Sequence, residues 1–80
     1  MYYVYILLLA NNTHYIGFSS NLRQRIDNHQ KGQISHTKNF RPLKLIFYAA
    51  FETKITALNF EKYLKSCSGF AFRNKHLINV

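Results

Sequence analysis

The chain is poor in several things. Its 80 residues include three acids, three glycines, one proline, one cysteine and no tryptophan. The lone Cys67 excludes an intrachain disulfide, whereas a small secreted domain normally carries several. A reducing compartment, the cytoplasm, is therefore the expected location. So few glycines and prolines exclude collagen-like and low-complexity chains. The apolar run at residues 2–10 falls well short of the ~20 residues that cross a bilayer. No Lys or Arg precedes that run, the first being Arg23, so it does not read as a signal peptide. Motifs are missing too. There is no GxxxxGK[ST] or GxGxxG, and the four histidines show no HExxH or CxxC context, which removes support for nucleotide cofactors and structural zinc. No nucleophile elbow accompanies the serines.

The shortage of acids is the most informative absence. Eleven Lys and Arg face three Asp and Glu, for a net charge of +8 and a pI near 9.9. Such an excess implies an anionic partner, with nucleic acid first and a membrane surface second. Any mechanism that needs a carboxylate must use Asp27, Glu52 or Glu61.

What is present is apolar and aromatic. Hydrophobic residues make up 48%, with seven Phe and six Tyr, so a small core can form and disorder is excluded. The length suits a single domain over residues 1–80. Residues 2–9 read as a strand covered on both faces. Asn11, Asn12 and Thr13 offer a turn, and residues 14–18 a second strand, giving an antiparallel hairpin. Ser19, Ser20 and Asn21 are N-cap candidates for a helix over 21–31, with Lys31 and Gly32 at its end. Residues 32–42 look polar and irregular. Pro42 precedes a third strand at 43–51. Thr53 or Thr56 caps a second helix that runs to about Lys65, with Ala57, Leu58 and Leu64 as apolar positions. A short last helix is expected at 70–77. The order β-β-α-β-α-α describes an α+β fold, a small mainly antiparallel three-stranded sheet flanked by helices.

Three groups could carry chemistry. Glu61 shares a helix face with Ala57, Leu58 and Leu64, and a carboxylate beside an apolar stripe calls for a partner or a metal. The plainer reading is an i,i+4 surface pair with Lys65. Tyr5 and Tyr15 share a sheet face if the hairpin pairs odd with odd residues. They could act in acid–base chemistry, or simply pack. The stretch 23–44 holds Arg23, Arg25, Lys31, Lys38, Arg41 and Lys44, with His29 and His36. Its one-sided charge favours phosphate binding over a merely soluble surface.

Taken in order, these residues resemble a known family. Val4-Tyr5-Ile6 and Tyr15-Ile16-Gly17 resemble the paired tripeptides that name the GIY-YIG nucleases. The first tripeptide has Val in place of Gly. Residues 21–26 with His29 resemble the family's first helix and its arginine. Residues 37–43 resemble the loop into the third strand. Residues 51–66 resemble the helix bearing its metal-binding glutamate. Phe70 stands where Arg or Lys is expected, and Asn74 is the nearest candidate for a downstream asparagine. The likeness covers residues 2 to about 77 and is greatest to small stand-alone members, related to the nuclease domain of the bacterial excision-repair incision enzyme.

The resemblance implies roles. Glu61 would bind one Mg²⁺ (or Mn²⁺), and Arg25 would hold the scissile phosphate. Tyr5 or Tyr15 would help deprotonate water, with His29 as proton relay. Arg23, Lys31, His36, Lys38, Arg41 and Lys44 would contact nucleic acid, DNA before RNA. The expected activity is a metal-dependent endonuclease, with a protein partner as a possible source of specificity and no membrane role. The alternative is a non-catalytic DNA- or RNA-binding module, or a repair-complex docking module, that retains the fold.

Overall fold

The computed structural model describes residues 1–66. Its elements are β1 (Tyr2–Leu8), β2 (His14–Ser19), α1 (Leu22–Gln30), a short 3₁₀ turn (Lys38–Phe40), β3 (Lys44–Phe51) and α2 (Lys54–Lys65). The expected helix at 70–77 lies outside the described residues, as do Cys67, Phe70, Asn74 and His76. The three strands form one antiparallel sheet in the order β2-β1-β3. The fold is α+β.

The central place of β1 explains its unbroken apolar run. Val4 and Ile6 face one way and pack with Ile16 and with Ala57 and Leu64 of α2. Tyr5, Leu7 and Leu9 face the other way and pack with Leu22 and Ile26 of α1. Val4, Tyr5, Ile6 and Leu7 are all fully buried. A strand between two helical layers has no polar face, so alternation disappears.

The helix ends follow local chemistry. The Asn21 side chain accepts a hydrogen bond from the Gln24 N–H and caps α1. Past its far end, Gly32 takes a φ of 77°, a left-handed turn that suits glycine. Thr53 rather than Thr56 caps α2, by accepting from the Thr56 N–H.

Two expectations need correction. Leu58 is 39% exposed. The inward stripe of α2 is instead Ala57, Phe60 and Leu64, which follow a 3–4 spacing that leaves Leu58 turned aside. The segment 32–42 is also more ordered than its polarity suggests. It contains the 3₁₀ turn and the fully buried Thr37.

Candidate active site

The hairpin register pairs Tyr5 with Gly17 and Leu7 with Tyr15. Odd residues oppose odd, so Tyr5 and Tyr15 emerge on the α1 face, with ring centroids 6.3 Å apart. Gly17 matters here. A methyl group at its Cα would overlap the Tyr5 ring and hydroxyl, so the absence of a side chain lets the phenol lie against the edge strand.

Helix α1 brings two more groups to the same place. Arg25 and His29 lie one turn apart on its inner face. The Tyr5 hydroxyl is 2.9 Å from Nε2 of His29, and the Arg25 Nε–H donates to the same hydroxyl at 3.4 Å. His29 is fully buried, and its Nδ1 lies 2.7 Å from the Thr37 Oγ1. Tyr15 packs edge-on against His29, with centroids 5.1 Å apart. His36 lies beyond it, its ring 6.3 Å from that of Tyr15.

The electrostatics of the group follow from its burial. Burial pushes the Tyr5 phenol up to about 12, the hydrogen bond from Arg25 opposing it and the Tyr15 and Glu61 charges adding to it. Burial, with the Arg25 charge behind it, pushes His29 down to about 4. The imidazole is therefore neutral at pH 7. Arg25 is held above its ordinary value, mainly by its bond to the Tyr5 hydroxyl and despite some burial.

Glu61 stands on α2, in the other helical layer. Its side chain is only 18% exposed and pairs with Lys65 at 3.2 Å. The plainer reading, an i,i+4 ion pair, is the one seen, on a carboxylate largely shielded beside the apolar stripe. Its charge is felt at the Tyr5 hydroxyl, where it favours the protonated phenol. Among the described residues, no group of three or more His, Cys, Asp or Glu could hold a metal. One shielded carboxylate does not make a zinc cage. It does suit Mg²⁺, which keeps several waters and takes one or two carboxylates plus substrate phosphate.

The remaining basic candidates are spread out. Lys31 pairs with Asp27 at 2.8 Å. Arg41 donates to the carbonyls of Lys38 and Gln30 at 2.9 and 3.2 Å and lies across Gly32, so much of its reach is used to fasten the loop. Lys38 and Lys44 are exposed at the turn and at the start of β3. Arg23 lines a separate groove of about 630 Å³ with Tyr3, Leu45 and Tyr48. Thr37 belongs to this group although the sequence alone does not mark it. A lone threonine in a polar loop carries no local sign of burial, and only its place at the head of the segment 37–43 hinted at importance.

Comparison with known proteins decides the family. The model of the GIY-YIG catalytic domain matches residues 1–75. The chain belongs to the GIY-YIG family. A UPF0213 protein from Limosilactobacillus reuteri is 42% identical over 67 residues, covering 80% of this chain and 70% of that one. A UPF0213 protein of Natronomonas pharaonis is 32% identical over 68 residues, covering 84% and 80%. The solution NMR structure of a UPF0213 protein from Bacillus halodurans aligns with a TM-score of 0.61 at 27% identity, covering 99% of this chain and 86% of that one. None of these names states an activity. GIY-YIG proteins are a nuclease family, typically dependent on a divalent metal, and nucleic acid is the substrate class this implies. Among the described residues no helix is long and apolar enough to cross a membrane.

Proposed function

We propose that the protein is a divalent-metal-dependent endonuclease that hydrolyses phosphodiester bonds, with DNA as substrate, in the cytoplasm. The observation that carries this reading is the convergence on the Tyr5 hydroxyl, to which Arg25 and His29 both bond, with Tyr15 packed beside them. Glu61 is the residue that would hold Mg²⁺ or Mn²⁺. When bound, the cation polarises the phosphoryl group and supports the leaving oxygen.

The chain's own residues do the rest. Arg25 receives a non-bridging phosphate oxygen and offsets the charge that grows there. Tyr5 accepts the proton of the attacking water as its own proton passes to Nε2 of neutral His29. A phenol near 12 is a poor base alone, so it needs both a cation beside it and an acceptor behind it. Arg25 is the first and His29 the second. Tyr15 packs against His29 and Tyr5 and holds the pair in place. Lys38, Lys44, Arg23 and His36 supply weaker, non-specific contacts to the strand. Such contacts go to the strand rather than to its bases, so cleavage is slow and nearly indifferent to sequence, and a protein partner supplies any specificity.

The direct test compares wild type with Glu61→Gln on supercoiled, nicked and branched DNA, with Mg²⁺ or Mn²⁺. The expected result is metal-dependent nicking by the wild type and a loss of at least about 100-fold in the variant. Equal nicking by both proteins would overturn the proposal, and so would no nicking by the wild type with either metal. Tight, salt-sensitive binding without cleavage would then favour the non-catalytic module.

A further inference from the structure

We infer that Thr37 is a positioning residue, whose buried hydroxyl holds neutral His29 in the tautomer with its proton on Nδ1 and so keeps Nε2 open to receive the Tyr5 proton. The catalytic part of this inference rests on the proposed nuclease reading, whereas the tautomer itself does not.

In a buried space each donor must meet an acceptor. Arg25 can only donate, and it donates to the Tyr5 oxygen. The Tyr5 O–H must then find an acceptor. Among the described residues, the acceptor recorded within reach is Nε2 of His29, at 2.9 Å. A bare Nε2 in a neutral imidazole puts the proton on Nδ1. That N–H points at the Thr37 oxygen, 2.7 Å away. The Thr37 hydroxyl turns its own hydrogen towards the Ile34 carbonyl, at 3.5 Å. Every donor in the chain from Arg25 to Ile34 then has an acceptor. The opposite tautomer aims both Nε2–H and the Arg25 N–H at the Tyr5 oxygen and leaves the phenol hydrogen unmatched. An unmatched buried donor is unfavourable.

The loop is built to keep Thr37 there. Its backbone N–H donates to Ile34 O, and its carbonyl accepts from the Phe40 N–H, at 3.1 and 3.0 Å. Arg41 ties the loop to the end of α1 through the Gln30 carbonyl. Ala10, just after β1, donates to the Phe40 carbonyl at 2.9 Å. The helix that carries His29 and the strand that carries Tyr5 are thereby both joined to the loop that carries Thr37.

The test reads the tautomer directly. Long-range ¹⁵N–¹H NMR of the full chain, labelled at histidine, distinguishes a protonated from a bare ring nitrogen at pH 7. The wild type should show a protonated Nδ1 and a bare Nε2 on His29. In Thr37→Val, which keeps the shape and loses the hydroxyl, the tautomers should mix or invert. Thr37→Ser should restore the wild-type pattern. In cleavage assays Thr37→Val should lower kcat at least about tenfold with little change in KM, and Thr37→Ser should recover it. A protonated Nε2 in the wild type overturns the inference, and so does an unchanged tautomer in Thr37→Val. The wild-type spectrum decides the matter even if Thr37→Val fails to fold. If the wild type shows the expected tautomer but cuts no nucleic acid, the nuclease reading fails while the assignment of Thr37 stands.

Discussion

Gly17 shows how one missing side chain shapes the site. Its Cα lies against the Tyr5 phenol with no room for a methyl. Gly17→Ala should force the ring aside, at about 1–3 kcal/mol of stability, and should separate Tyr5 from His29 and Arg25. The expected outcome is a protein that still folds, with a lowered denaturation midpoint and cleavage reduced by tenfold or more. Wild-type cleavage in the variant would mean that the Tyr5 position is not critical. Protonation is a second prediction at this scale. His29 is held down to about 4, mainly by burial, while an unfolded histidine titrates near 6.5. Between those values the unfolded chain binds the proton and the native one does not, so stability falls as pH drops from about 6.5 towards 4. Tyr5 acts at the other end. Its native phenol keeps the proton up to about 12, and the unfolded one loses it near 10. Stability should therefore fall again as pH rises from 10 towards 12. Denaturant midpoints across pH test both limbs, and the acid limb should be shallower in His29→Asn.

At the scale of elements, α2 has two tasks that its sequence satisfies with one stripe. Ala57 and Leu64 seal the core below β1, and Glu61 stands between them. Leu64→Ala should cost about 2–5 kcal/mol, because a fully buried leucine leaves a cavity. A domain of this size has only about 4–12 kcal/mol in all, so thermal melting should show partial unfolding near room temperature. Leu58→Ala, on the outer side, should cost far less. Thr53→Ala removes the cap and should cost about 1 kcal/mol. The helices and strands themselves were legible from periodicity, caps and turn residues. Periodicity alone places Leu58 on the inner stripe, because its spacing of three from Glu61 is as good as that of Ala57 at four, and only the sheet beneath decides which one faces inward. The loop before β3 looks irregular in the sequence because polar residues give no sign of hydrogen bonds made to distant backbone.

For the whole molecule, the excess of base over acid is the guide. Two acids, Asp27 and Glu61, are already ion-paired with Lys31 and Lys65, and among the described residues Arg23, Lys38, Lys44, Lys54 and Lys62 are exposed. Binding to DNA should weaken steeply with salt, by a factor of 10 or more between 50 and 200 mM for even a few phosphate contacts. Filter or fluorescence binding with the Glu61→Gln protein measures this without cleavage. A flat salt response would remove the electrostatic basis of the substrate assignment.

The sequence by itself determined the order of the described elements, the apolar strand buried on both faces, and the identity of the few carboxylates. These are local matters: a period of two or of 3.6, a cap, a turn, a count. Only the tertiary structure decided the hairpin register that puts Tyr5 and Tyr15 on one face, and the packing of α1 and α2 on opposite faces of the sheet. It also set Thr37 behind His29. The reason is physical. Contacts between residues far apart in the chain depend on how whole elements pack, and packing is decided by the summed fit of many apolar side chains rather than by any single residue. The three acids that began as an absence thus resolve into one surface pair at Asp27, one exposed residue at Glu52, and one shielded carboxylate at Glu61.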